Sequence, residues 1–486
     1  MLPKPKQNTN GTAGRGCEGC IFWGDGKGFV PDLINNQAPT FVVAQNPGES
    51  EERGERLIEY KYGQPIYEPC EPQPMVGKTG FAMQREYFPI AGLTRDNVSL
   101  GNALRCRINH KDMVPPLKNV ELRTALAHCH YAHFKLPEKT QLVVAQGELG
   151  LYAMTQEGLD EGVSITSCRG WVLPYTPLCN PRVMMSDIWT PTMGGGVTTF
   201  MPVLAVNHVA YIFRYPTAAM YAKSDWAKIP RILAGTWPRK PTSILDVPPV
   251  VLPRRFAFDT EFILEKDRLL RYSMAYPTLP TNELCVRVVE REVAEAHIFP
   301  TVLFPPLVIA HHIMADIGYL EDLFNLKPGD YRYDDSMHMH SVLWAGLDHD
   351  LDTLGSLYAP INRWKHLEAS NPRVYSGGDA EGTYYSWASL ERELNADQGS
   401  RRIYDDIQIK LVKHIRKSKR IGIKVLQEPS VQIAKDLQEK VDELQIEAEA
   451  LVGWPINLKS DLMTAQQLFD SERLLEWALP KKKVRK

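Results

Sequence analysis

Four short apolar runs constrain this chain more than anything else in it: FVVAQ (41–45), VSLGNAL (98–104), QLVVAQG (141–147) and FMPVLAV (200–206). Each reads as a buried strand, and helical stretches such as 118–135 lie between them. Strands alternating with helices predict a parallel sheet covered on both faces. In such sheets the turns after the strands are where ligands bind. The turns here carry Gln45 with Asn46, Asn102, and Asn207 with His208. Amides offer matched donors and acceptors to a neutral polar heterocycle, and a histidine can support charge developing on a leaving group.

The rest of the chain divides by pattern. Residues 1–16 are polar and predict a disordered start. Residues 17–236 form the first α/β unit, and the proline-rich 237–254 predicts a linker. A second α/β pattern spans 255–395, and 396–486 is helical by periodicity. With 486 residues, 44% apolar and 23% charged, the composition is that of a globular protein, and the net charge of −2 announces no nucleic-acid partner by itself. No apolar run reaches the ~18–20 residues that cross a bilayer, and no secretory signal follows the N-terminal lysines. Eight cysteines in so long a chain are not a disulfide scaffold, so a reducing compartment is expected. The closing PKKKVRK reads as an exposed basic end.

In the second pattern, FAFDTEF sets Asp259 and Glu261 two apart, on one face of a strand. Side-by-side carboxylates repel unless cations lie between them, and hard divalent ions are the usual resolution. Asp316 follows the apolar run LVIAHHIMAD, and VYSGGDAEG places Tyr375 and Asp379 on one helical face. The order D-x-E, Asp, Y-x-x-x-D resembles the DEDD-type 3′–5′ exonuclease domain of family A DNA polymerases, in its tyrosine-bearing form. DDSMHMHSVLWAGLDHDLDTLGSLYAP (334–360) resembles the segment between that family's second and third motifs. The resemblance implies an RNase H-like fold over 255–395. It implies two Mg²⁺ or Mn²⁺ ions on Asp259, Glu261, Asp316 and Asp379, with Tyr375 orienting the attacking water. His312 stands where the family commonly has asparagine.

The stretch 403–469 resembles the opening of a family A polymerase region, a helical thumb-like segment. It has a glycine turn at Gly422 and a later segment bearing Gly453, Asn457, Ser460, Gln467, Leu468 and Phe469. No room remains for palm carboxylates, so polymerisation by this chain alone is not expected, and a separate polymerase chain is a possible partner.

The first unit resembles the uracil-DNA glycosylase superfamily, with the iron–sulfur family 4 branch nearest, a three-layer α/β/α fold. AQNPG, PMVGKTG (74–80), NALRCR and NHVAYIFRYP carry the likeness. It implies Asn46 and His208 in catalysis, and Gln45, Met75 and Asn102 around a flipped uracil. The departures are Gln45 where family 4 has glutamate, Met75 where an aromatic ring stacks, and Val209-Ala210 in place of Pro-Ser. Glycosylase activity and a base-reading module without turnover both stay open. The C-x-x-C of Cys17 and Cys20 alone fits a redox dithiol or half of a zinc or cluster site. The resemblance adds Cys106 and Cys129, and so a [4Fe–4S] cluster, with zinc as the alternative. The expected partner is DNA with single-stranded 3′ ends, possibly containing uracil, and no membrane. Such fusions look like those of large bacteriophages, which implies replication in a bacterial cytoplasm. A DNA-binding adaptor or replisome scaffold is the alternative.

Overall fold

The computed structural model describes residues 17–458 except 19, 23–27, 109–119, 158–163, 177, 179–200, 241, 264–267, 279–280, 296–303, 423 and 425. The expected disordered start, Ser460, Gln467, Leu468, Phe469 and the basic end all lie outside the described residues. The chain divides into two compact units, Met1–Val412 and Lys413–Lys486.

The apolar runs become strands because burial on both faces suits them. β1 (Thr40–Ala44) is buried throughout. A separate antiparallel hairpin, β2 (Glu55–Lys61) and β3 (Gln64–Pro69), follows it. Next come β4 (Ser99–Asn102), β5 (Leu142–Gln146), β6 (Val172–Pro174) and β7 (Pro202–Val206). The sheet order is β4-β1-β5-β7-β6; the first four are parallel and β6 closes one edge antiparallel. Alternate residues feed opposite cores. Val42, Val144 and Leu204 meet Met83, Tyr87 and Trp226 on one face, and Phe41, Val143 and Val203 meet Leu122, Leu126 and Leu149 on the other. Two helical layers thus cover the sheet, and its four parallel strands end along one edge.

The stretch expected to be a linker touches both sheets at a few described residues, while Val247 and Val250 stay exposed. Trp237 is buried in the first unit's core, β8 (Ile244–Leu245) adds to the second sheet, and Leu252 is buried in that sheet's core. Arg373 Nη2 donates to the Ile244 carbonyl and Arg287 Nη1 to the Val247 carbonyl. Its prolines remove periodicity without preventing it from packing.

The second sheet contains β9 (Arg255–Ile263), β10 (Arg268–Pro277), β11 (Leu284–Glu290), β12 (Leu307–Ala310) and β13 (Arg332–Asp335). Its order is β13-β12-β9-β10-β11-β8, with β9, β10 and β11 antiparallel and β12 and β13 parallel to β9. Across it lies the long helix Pro372–Ala396, started by Asn371 and Pro372. Residues 398–412 pack here too: Tyr404 is buried and donates to Asp334 Oδ1 while accepting from Asp335 N, and Val412 enters the core. In the separate C-terminal unit the helix Gln427–Val452 ends on Gly453, whose φ of +84° suits glycine.

Candidate functional sites

The acidic cleft is built from three elements. β9 carries Asp259 and Glu261 on one face; the helix Pro372–Ala396 carries Tyr375 and Asp379; Asp316 is the N-cap of the helix Ile317–Phe324. Ligand oxygens of Asp259, Glu261 and Asp379 lie within 4.8 Å of one another, the one such acidic group among the described residues. Asp316 is buried and accepts from Thr260 N at 3.0 Å and Thr260 Oγ1 at 2.6 Å. The cleft is about 380 Å³ and is also lined by His311, Asp350, Asp352 and Lys365.

Its electrostatics are those of crowded acids. Burial first, then Asp316, Asp379 and Glu261, hold the Asp259 carboxyl well above its ordinary range, and Lys365 opposes them. Burial and Asp379 raise Glu261, and burial raises Asp316 to about 7 against its Thr260 hydrogen bonds. Asp259 Oδ2 is buried without a hydrogen-bond partner. Like charges confined this way, with an orphaned oxygen, fit divalent cations with oxygen ligands.

Two residues here escaped the sequence reading. Lys365 Nζ lies 2.5 Å from Asp379 Oδ1 and donates to Tyr375 Oη at 3.3 Å. Trp364 Nε1 donates to the same Asp379 oxygen at 2.7 Å. Both come from the short stretch after Pro360, where Trp364 caps and Lys365 opens a single 3₁₀ turn, Lys365–Leu367, too short for periodicity to point to a partner. His312, the departure noted above, has φ +63°, the left-handed region that asparagine tolerates better than most residues.

A second cleft, about 400 Å³, opens where β1, β4 and β7 end. Asn46, Met75, Asn102 and His208 all line it. Gln45 does not. Its amide lies over Gly147, where a Cβ would stand 2.5 Å from Gln45 Nε2 and where φ is +75°. Two carboxylates line the cleft, exposed Glu49 and buried Glu51, both from helix Glu49–Arg53. Glu51 accepts from Gly48 N at 2.7 Å and from Met75 N, and burial raises it to about 7. Arg95 Nη1 grips the Met75 carbonyl at 3.1 Å, so Met75 is pinned with φ +58°. The signal for Glu51 was present in the sequence as Gly48-x-x-Glu51, a capping arrangement opening a helix. Asn102 is 1% exposed and its Nδ2 finds no hydrogen-bond partner. His208 caps the helix Val209–Arg214, Nδ1 accepting from Ala210 N at 3.2 Å. That bond puts the ring proton on Nε2, and burial pushes the imidazole pKa down to about 4.

The four predicted cysteines are electrostatic neighbours, though no three of them bring their sulfurs within 4.8 Å of one another. Burial first, then Cys129, Cys20 and Cys17, push the Cys106 thiol up, and burial with Cys129 raises Cys20. Cys129 Sγ accepts from Arg105 N at 3.4 Å, and Cys17 Sγ lies 3.1 Å from His133 Nε2. If ionised, these neighbouring thiols would repel one another, and a metal centre that takes thiolates would neutralise that charge.

No protein-family model and no curated protein matches the chain. Solved structures resemble part of it. Brucella melitensis NrnC with bound Mg²⁺ is 17% identical over 37% of this chain and 92% of that chain, with a TM-score of 0.28. The same protein bound to pGG is 16% identical over 37% of this chain and 95% of that chain, with a TM-score of 0.29. Escherichia coli RNase D, an exoribonuclease involved in structured RNA processing, is 12% identical over 37% of this chain and 51% of that chain, with a TM-score of 0.28. No helix among the described residues is long and apolar enough to cross a membrane.

Proposed function

We propose that the acidic cleft is a metal-dependent 3′–5′ exonuclease site. The observation that carries this reading is the set Asp259, Glu261 and Asp379 within 4.8 Å, with buried Asp316 beside it. Two Mg²⁺ or Mn²⁺ ions on these four carboxylates would activate water and neutralise charge on the phosphate and the departing oxygen. The chain's own residues do the rest. Thr260 fixes Asp316, Trp364 and Lys365 fix Asp379, and Lys365 holds the Tyr375 hydroxyl where it can orient the attacking water. Water oxygen joins phosphorus, the P–O3′ bond breaks, and a nucleoside monophosphate leaves. The assay is a 5′-labelled single strand of DNA with Mg²⁺. Stepwise shortening from the 3′ end is expected, and Asp259→Ala and Asp316→Ala each abolish it. Shortening unchanged in both variants refutes the assignment.

The front cleft supports a second activity on the same substrate, recognition of uracil in DNA. Buried, unpaired Asn102 Nδ2 favours it, because such a donor is costly unless a ligand acceptor meets it. With Met75 and Asn46 lining the cleft and the His208 Nε2 proton available, the cleft suits a pyrimidine edge, and Asn46 would orient water. Release of uracil from a uracil-containing strand, followed by alkali cleavage, identifies a glycosylase. Selective binding without cleavage identifies a base-reading module. Cys17, Cys20, Cys106 and Cys129 would hold a [4Fe–4S] cluster that ties the N-terminus to the strand bearing Asn102. The setting we propose is DNA replication by a phage-type family A polymerase, with the polymerase centre outside these residues and the host cytoplasm as its place.

A further inference from the structure

The front sheet unit and the acidic cleft meet through two tryptophans. Trp171 precedes β6 and is 2% exposed; Trp364 is 3% exposed. Their rings meet edge-on, centroids 5.4 Å apart at 87°. They belong to one core, with Leu151, Ile165, Leu173 and Ala205 from the front unit and Leu351 from the nuclease side. Trp171 is tied to the front sheet by its backbone: its carbonyl accepts from Ala205 N at 3.2 Å, and Gly170 N donates to the Ala205 carbonyl at 2.7 Å. Lys228, buried, fastens the same junction. Its Nζ donates to the Gly170 carbonyl at 2.9 Å, to the Ser356 carbonyl, and to Asp225 Oδ1 at 3.2 Å.

The slot around Trp364 is made of missing side chains. A Cβ on Gly355 would stand 2.4 Å from the Trp364 ring, on Gly378 2.5 Å, and on Gly382 2.6 Å. Two of those glycines flank Asp379 on its own helix. The indole therefore lies flush against that helix, and its N–H reaches Asp379 Oδ1 at 2.7 Å. The outer edge of the slot is closed by Trp171, which is also 3.2 Å from a Cβ at Gly355. A carboxylate on a helix has several rotamers; one N–H donor held in a rigid slot selects among them.

We propose that the front unit is a working part of the nuclease site: Trp171 braces Trp364, and Trp364 is the positioning residue that sets Asp379. This rests on the nuclease reading above and deepens it. It explains why the two sheets share an apolar core at this junction, with polar bonds from Lys228 at its side. It assigns the front unit a role that does not depend on whether its own cleft turns over uracil.

The test uses the full chain and measures Mn²⁺ binding directly, by the free-ion electron paramagnetic resonance signal, alongside exonuclease rate against Mn²⁺ concentration. Trp364→Phe keeps the ring and loses the N–H. Loss of such an outer hydrogen bond typically weakens metal binding about 10–100-fold, and that shift is expected here. Trp171→Ala, in the other unit, is expected to shift Mn²⁺ binding in the same direction, and Trp171→Phe less. Val98→Ala, which softens the front core away from this junction, is the control and leaves Mn²⁺ binding unchanged. If Trp171→Ala does not fold, Trp171→Phe decides. Wild-type metal binding in both Trp171 variants overturns the brace, and so does an equal shift in Val98→Ala. A wild-type chain that binds no Mn²⁺ and shortens no DNA overturns the nuclease reading instead, so the two failures are distinct.

Discussion

Asp259→Asn is expected to abolish exonuclease activity and yet raise the melting temperature of the metal-free chain. Ligand oxygens of Asp259, Glu261 and Asp379 lie within 4.8 Å of one another, and two unit charges at that distance repel by about 3.5 kcal/mol at an effective dielectric constant of 20. The realised cost is smaller, because Lys365 offsets part of it and a raised pKa lets one carboxyl protonate at about 1.4 kcal/mol per pH unit. Replacing Asp259 by its neutral isostere therefore relieves about 1–3 kcal/mol. For a chain of this size, with an unfolding entropy of about 1 kcal/mol/K, that is a rise of about 1–3 °C by scanning calorimetry in EDTA. Mn²⁺ then inverts the order. At a concentration 100 times its dissociation constant it stabilises the wild type by about 2.7 kcal/mol, and the variant, having lost a ligand, gains little. Two results would refute the reasoning: Asp259→Asn melting below wild type in EDTA, or gaining as much from Mn²⁺ as wild type does.

Gly378→Ala is expected to destabilise by about 1–4 kcal/mol, against the ~1 kcal/mol that Ala normally gains over Gly within a helix, because the new Cβ would meet Trp364 at 2.5 Å. Gly318→Ala, with open space at its Cβ, is expected to be neutral or stabilising, and thermal melts of the pair check the sign. Acid should weaken the fold. Burial pushes His130, His208 and His340 down to about 4, so between pH 6.5 and 4 the unfolded chain binds more protons. Stability is then full above pH 6.5 and is lost as pH falls towards 4, by at most about 3 kcal/mol per histidine and less for His208, which opens onto the cleft. Glu51 and Asp316, both raised to about 7, and the other raised acids of the acidic cleft act with the opposite sign, stabilising at acid pH and fading as pH rises; urea midpoints at pH 7, 5.5 and 4.5 read the balance. Anaerobically purified protein should absorb near ~400 nm and lose that band in Cys106→Ala, whereas colourless protein with stoichiometric zinc would keep the ligand set and reject the cluster.

What could be read in the sequence was whatever a repeat distance encodes. The all-apolar runs had to be strands buried on both faces, and their parallel order followed from the helices between them. Asp259 and Glu261 share a face because strands alternate, and Tyr375 and Asp379 because helices turn every 3.6 residues. Lys365 and Trp364 obey no period. They stand at a single short 3₁₀ turn, and only the approach of helix Pro372–Ala396 and the three glycines facing Trp364 gives them a role. Gln45 follows a strand end, as a site residue would, but its side chain turns onto Gly147, and the buried acid of that cleft arrives from the next helix as Glu51. The connection 237–254 shows the limit from the other side. Proline erases a strand's own pattern, so its pairing at β8 is dictated by the exposed edge of β11.

The shared core also fixes how the two clefts can serve one substrate. A flexible connection would let each unit sample many orientations, and the second binding event would depend on linker length. Here β7 links the front cleft to the shared core: the chain leaving it carries His208 into the cleft, and its Ala205 bonds the Trp171 backbone beside Trp364. β7 is buried between two neighbours, so a shift along it would break its ladder with β5 and β6. The front sheet would therefore act on the proposed nuclease site by bracing it rather than by sliding. On the proposed reading, any effect of uracil on exonuclease rate would then come from where the strand is held rather than from movement between the two clefts.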